Sequence, residues 1–165
     1  VYQAFNPIIA SYAVHHQKFL GCDVYSQERM TWIKTNFLWM QYRSGWCTKK
    51  DQERCVAIKL KRGFFDHLVR DGVESHEGVA NPSRIQNSNV RIQWDPDHDP
   101  LGNKCVRRAV QIGLRKEELL EMASGKAVEM IVDMTPFVEE QRRFALDKTL
   151  WDQLQVPTEN VYVED

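Results

Sequence analysis

Arg29-Met30-Thr31-Trp32-Ile33-Lys34-Thr35-Asn36-Phe37-Leu38-Trp39-Met40-Gln41-Tyr42-Arg43-Ser44-Gly45-Trp46 reads as a strand handing over to a helix in one unbroken run. Arg29 to Lys34 is extended in pattern, and Thr35 or Asn36 can cap a helix carrying Phe37, Leu38, Trp39, Met40 and Tyr42. Gly45 closes that helix, because a helix stop in the left-handed conformation is cheapest at glycine. The same alternation recurs on both sides. Val1-Tyr2-Gln3-Ala4-Phe5 is a short strand, and Asn6-Pro7 is an N-cap followed by proline at the first helical position, where the missing N–H costs nothing. Ile8, Ile9, Tyr12, Ala13 and Phe19 carry that helix to about Phe19, with a stop near Gly21. Arg54 to Leu60 alternates polar and apolar residues as a half-buried strand does, and a helix with Phe64, Phe65, Leu68 and Val69 follows to Gly72.

The second half continues in kind. Asp71 to Asn89 is rich in Gly, Ser, Asn and charge and is expected to be a mobile loop. Val90 to Trp94 and Ala109 to Gly113 are two strands of a hairpin joined by the turn-rich Asp95 to Lys104 segment. Lys116 to Ala123 is an amphipathic helix stopped at Gly125, Ala127 to Met134 a strong strand, Thr135-Pro136 another cap-plus-proline helix start, and Lys148 to Leu154 a further turn or two of helix. About six strands and five helices, with strands at both ends and in the middle, define an α+β fold: a single domain over 1–165 with a mixed, mostly antiparallel sheet and flanking helices. The chain opens on Val1 close to its first strand, so residues upstream of it are expected.

With 165 residues, 42% hydrophobic and 27% charged, the chain has enough apolar material for one core, and no apolar run reaches the length of a membrane span. The net charge of −1 hides a polarity. Arg29 to Arg70 holds ten Lys/Arg against three Asp/Glu, and Glu117 to Asp165 four against twelve. The basic part suits a phosphate-bearing ligand, while a pI near 6.6 argues against a dedicated duplex-DNA binder. Cys22, Cys47, Cys55 and Cys105 lack zinc-ligand spacing. With no hydrophobic signal segment, they are read as reduced thiols in a cytoplasmic protein. Asp95-Pro96-Asp97-His98-Asp99 alternates carboxylates, but Pro100 and Val106 stand where a calcium loop needs Gly and Glu, so no metal is assigned. No P-loop, G-x-S-x-G or G-x-G-x-x-G occurs.

Three tryptophans, Trp32, Trp39 and Trp46, interleave with Arg29, Lys34 and Arg43. Flat π-faces beside fixed cations are what a nucleotide needs, and a strand-to-helix turn brings cations toward a helix N-terminus that also attracts anions. This stretch, with Tyr2-Gln3-Ala4-Phe5, Val90-Arg91-Ile92-Gln93-Trp94-Asp95-Pro96 and Val110-Gln111-Ile112-Gly113-Leu114, resembles domain-of-unknown-function family 4291 from Val1 to about Pro136. That resemblance implies that these blocks belong together and assigns no activity.

A second resemblance, in the order of strands and motifs, is to the ADP-ribosyltransferases. It implies NAD as the cofactor and three catalytic positions. Gln3 would grip the nicotinamide ribose, Trp32 or Tyr42 would support the nicotinamide, and Gln111 would orient the ribose. Arg29, Lys34, Tyr42, Arg43, Trp46 and Asp95 would complete the binding site. Gln3 stands where that superfamily has His or Arg, and Gln111 where it has Glu. Because breaking the nicotinamide–ribose bond builds positive charge on the sugar, a carboxylate is needed; Asp95 and Glu129 are the candidates. The expected partner is a nucleotide-like small molecule, with nucleic acid among the acceptors. The alternative is a nonenzymatic module that binds a nucleotide or single-stranded nucleic acid on the same surface. The site requires Gln3, Trp32, Arg43 and Gln111 to surround one hollow.

Overall fold

A computed structural model describes residues 1–76 and 80–164 of the protein. Seven strands, β1 (Tyr2–Phe5), β2 (Thr31–Lys34), β3 (Arg54–Leu60), β4 (Val73–Glu74), β5 (Val90–His98), β6 (Lys104–Leu114) and β7 (Val128–Asp133), form one sheet in the order β4-β5-β6-β2-β1-β3-β7. Among the described residues only the β4–β5 pair is parallel. The helices are α1 (Pro7–His16), α2 (Phe37–Ser44), α3 (Arg62–Asp71), α4 (Pro82–Asn87), α5 (Lys116–Ala123) and α6 (Thr135–Ala145), followed by a 3-10 helix at Lys148–Gln153. The mixed, mostly antiparallel α+β architecture read from the sequence is therefore the one observed.

Strand alternation sorts the helices onto two faces. Ile33, Val56, Ile58, Ile112, Leu114 and Ile131 point to a first face, where α1, α3 and α5 bury Ile9, Ala13, Leu68, Leu119 and Met122 against them. Tyr2, Ala4 and Cys55 point to the second face, covered by α2 and α6 through Phe37, Met40, Trp46 and Val138. Of the four cysteines, Cys22, Cys47 and Cys55 are buried, and all four are free thiols. Burial pushes the Cys47 thiol up to about 11 and the Cys55 thiol to about 12, so both stay protonated and inert.

Three expectations need correction. The segment expected to be a loop from Asp71 to Asn89 contributes β4 and α4; its residues 77–79 lie outside the described part of the chain. Val73 and Glu74 register with Arg91 and Ile92 as a two-residue strand, while Pro82 takes the first helical position of α4 as Pro7 does in α1, although Asn81, unlike Asn6, makes no side-chain cap. The hairpin strands run further than expected, to His98 and from Lys104, because each carboxylate of the turn-like Asp95 to Asp99 run finds a different partner. The register shifts between Pro96 and His98, an irregularity of the kind at which a strand tolerates a proline. Finally, α1 ends at His16, and Gln17 rather than Gly21 takes the left-handed cap at φ 57°.

Candidate functional site

β1 and β2 are neighbours that pair at Tyr2 and Lys34, whereas β1 and β3 pair from Tyr2 through Phe5. Beyond that single position the strands splay, and the split is filled by polar side chains. Gln3 alternates onto the first face with Val1 and Phe5. Its amide Nε2 donates to Thr31 Oγ1 at 2.6 Å and to the Trp32 carbonyl at 3.1 Å, leaving a buried Oε1 with no partner. From the second face Lys34 Nζ donates to the same Trp32 carbonyl at 3.3 Å. Two side chains from opposite faces thus meet at one main-chain oxygen.

Lys34 is opposite Gln111 of β6 in the ladder, and Gln111 is opposite Gln93 of β5. All three project to the second face, since their neighbours Ile33, Ile112 and Ile92 are turned the other way. Asp95 joins them. Its Oδ2 accepts from Gln111 Nε2 at 2.9 Å, and Gln93 Nε2 donates to both carboxylate oxygens, at 3.1 and 3.3 Å. Trp32 lies on this face two residues before Lys34. Its ring covers Gly113, where a Cβ would come within 3.1 Å of Trp32 Cε2 and 2.5 Å of Met30 Sδ; the glycine permits that close approach. Burial of Lys34 and the neighbouring Arg43 guanidinium pull its ammonium down to about 8, against the opposing pull of the Asp95 carboxylate.

The structure therefore brings Trp32, Lys34, Asp95 and Gln111 to one side of the sheet, with Arg43 close enough on α2 to act on Lys34. It does not bring every expected residue there. The requirement that Gln3 share that hollow is corrected, because β alternation turns its side chain to the other face; it reaches the site only through the Trp32 carbonyl. Trp46 is buried, and its indole donates to the Pro100 carbonyl at 3.1 Å, anchoring the β5–β6 hairpin tip. Tyr42 stacks on His98 at 3.7 Å between centroids, and Trp39 stacks on the same imidazole at 5.3 Å. Arg29 is exposed ahead of β2. Glu129 is paired with Lys59 at 2.7 Å on β7, at the far end of the sheet order from β5, whereas Asp95 lies on the same face as Lys34 and Gln111.

Sequence reasoning missed Gln93, although its place two residues before Asp95 on an alternating strand puts both on one face. It also missed Glu159, which takes over the capping of α2. Asn36 makes no side-chain cap, and Glu159 Oε1 accepts from the Phe37 N–H at 2.7 Å instead. The anion expected at this helix N-terminus is thus supplied by the chain itself. Glu159 borders a hollow of about 320 Å³ that also involves Phe37, Leu38, Asp97, Arg107 and Pro157. A wider one of about 570 Å³ lies by α3 and α5 at Phe64, His67 and Glu121. Neither is the Lys34 site, which is a polar stretch of sheet face beside α2. Asp97 in the first hollow is fully buried and held by Arg107 at 2.5 and 2.9 Å.

The fold is a single seven-stranded α+β sheet that presents Lys34, Asp95, Gln93 and Gln111 on one face. The chain belongs to the family described as Domain of unknown function (DUF4291), whose model matches residues 1–162. No curated protein and no solved structure matches the chain. No helix among the described residues is long and apolar enough to cross a membrane.

Proposed function

We propose that the protein is an ADP-ribosyltransferase-like enzyme that binds NAD on the sheet face beside α2, over β2 and its neighbours β6 and β5, and transfers ADP-ribose from it. The observation that carries this reading is the Asp95 carboxylate, held by Gln93 and Gln111 on the face that also presents Lys34 and Trp32. The superfamily pattern has a glutamate where Gln111 stands. Here the acid comes from the neighbouring strand, and Gln111 becomes the residue that aims it. As the nicotinamide–ribose bond breaks, positive charge develops on the sugar, and a fixed carboxylate stabilises it without reorganising at that moment. Trp32 offers a π-face for the nicotinamide, Lys34 and Arg43 offer charge to the phosphates, and Gln3 steadies the Trp32 backbone. The acceptor is a nucleophile of another molecule, with nucleic acid one candidate class.

A specific observation favours a second reading, a nonenzymatic nucleotide or single-stranded nucleic-acid module: the Gln3 amide is occupied by Thr31 and the Trp32 carbonyl and is not free to grip a ribose. Calorimetric titration with NAD combined with a nicotinamide-release assay separates the two. Transfer predicts binding, release by the wild type, and a loss of about a hundredfold or more in Asp95→Asn with NAD affinity changed only a few-fold. Binding without release supports the module, and the absence of any NAD heat overturns the NAD reading. Binding of short single-stranded RNA that weakens steeply with salt would assign the surface to nucleic acid.

A further inference from the structure

Lysine is almost never buried unless it is paired, yet Lys34 is 7% exposed and its nitrogen has one hydrogen-bond acceptor among the described residues, the Trp32 carbonyl. No carboxylate lies within ion-pair distance of it there. The groups facing it are Arg43 from α2, Asp95 from β5 and Cys55 from β3, with Tyr2 of β1 beside it in the ladder. The carboxylate that could neutralise it is instead engaged by two glutamine amides. A desolvated lysine beside a second cation is the arrangement that makes an amine available as a nucleophile near neutral pH. With the ammonium pulled down to about 8, about half of Lys34 is free amine at pH 8, against roughly one in three hundred of an ordinary lysine.

We propose that Lys34 is a nucleophilic amine that captures the carbonyl carbon of an anionic aldehyde or ketone as an imine. The nitrogen lone pair forms the C–N bond while the carbonyl π pair moves to oxygen. The carbinolamine then loses its hydroxyl as water when C=N forms. Both amine protons leave the nitrogen for the former carbonyl oxygen and end in that water. No oxidant or reductant enters. Arg43 gives the preference for an anionic carbonyl compound. This activity goes beyond the NAD reading and does not depend on it.

The test uses the intact protein at pH 8 with glyoxylate or pyridoxal 5′-phosphate as probe, sodium borohydride to reduce any imine to a stable amine, and peptide mapping by mass spectrometry. The expected result is modification of Lys34 at least about tenfold faster than of the exposed lysines, with glyoxylate ahead of a neutral aldehyde such as propionaldehyde. Lys34→Met and Lys34→Arg, checked for folding by circular dichroism, should each lose that one mark and keep the slow surface marks. An unmodified Lys34 alongside surface lysines labelled according to their exposure overturns the proposal, and equal labelling by glyoxylate and propionaldehyde overturns the preference for an anion. NAD titration of the same samples keeps the two readings apart. Rapid Lys34 labelling without NAD heat sustains this one and removes the other, and NAD heat without Lys34 labelling does the reverse.

Discussion

At the scale of single residues, Lys34 has a thermodynamic signature that follows from its surroundings. Its ammonium titrates at about 8 when folded and near 10.5 when the chain is unfolded, so between those values the unfolded state binds more protons and stability rises with pH. Below pH 8 the whole penalty is present, on the order of 3 kcal/mol at 1.36 kcal/mol per unit of pKa. Above about 10.5 it is gone. Lys34→Met should therefore stabilise the protein at pH 7 by up to that amount, with the gain shrinking as pH climbs from 8 toward 10; denaturant melts of both proteins at pH 7, 9 and 10 measure it. A variant no more stable than the wild type at pH 7 would show that the charge is well solvated. The sequence marked Lys34 as a cation near a helix start but gave no sign of its burial, which depends on how α2 lies across the sheet. Gln3 shows the converse: strict alternation with Val1 and Phe5 already implied the opposite face from Trp32 and Lys34 once strand neighbours were known, and no residue pattern discloses strand order.

At the scale of elements, the sheet has to manage its outer strand β7, whose unpaired backbone groups are a template for another chain. Gln17 covers that edge. Its Nε2 donates to the Ile131 carbonyl at 2.9 Å and its Oε1 accepts from the Ile131 N–H at 2.8 Å, so one side chain satisfies both outward groups of a residue 114 positions away. The left-handed backbone of Gln17 aims it there. Gln17→Gly keeps that backbone conformation accessible and removes only the amide, which isolates the clip. It should cost about 1 kcal/mol, speed hydrogen exchange at Ile131, and produce association that grows with concentration in light scattering. An unchanged exchange rate at Ile131 would mean that solvent serves the edge equally well. Helix and strand periods made α1 and β7 readable from the chain alone. The stop of α1 was misplaced at Gly21 because its real cap is selected by a contact between distant segments. In the same way α4 was passed over although Asn81-Pro82 repeats the signature of Asn6-Pro7, since the surrounding Gly, Ser and charge hid it.

At the scale of the whole molecule, the segment after the 3-10 helix binds the two helical layers together. Gln155 N–H donates to Gln141 Oε1 of α6 at 2.7 Å, Glu159 caps α2, and three residues later the Tyr162 hydroxyl donates to Asp66 of α3 at 2.6 Å while its ring meets Phe65 edge-on. α2 and α6 cover one face of the sheet and α3 the other, so this run crosses from layer to layer. The charge polarity of the sequence was legible, with the basic part early and the acidic part late. That Glu159 would meet Phe37 across 122 positions was not, because nothing local at Asn36 reveals that its own side chain leaves the cap unmade. The contact has a consequence for the candidate site. A carboxylate at the first N–H of α2 favours the helix dipole and fixes where α2 begins, and α2 carries the Arg43 that acts on Lys34. Glu159→Ala should lower stability by about 1 kcal/mol and speed amide exchange at Phe37 more than at Val138 on α6. Glu159→Gln, which keeps an acceptor oxygen but loses the charge, should recover part of both effects. As α2 loosens and Arg43 draws away, the Lys34 ammonium should titrate higher in Glu159→Ala than in the wild type, and its labelling by glyoxylate at pH 8 should slow. An unchanged labelling rate alongside faster Phe37 exchange would show that the first turn of α2 moves without the residues that set the chemistry of Lys34.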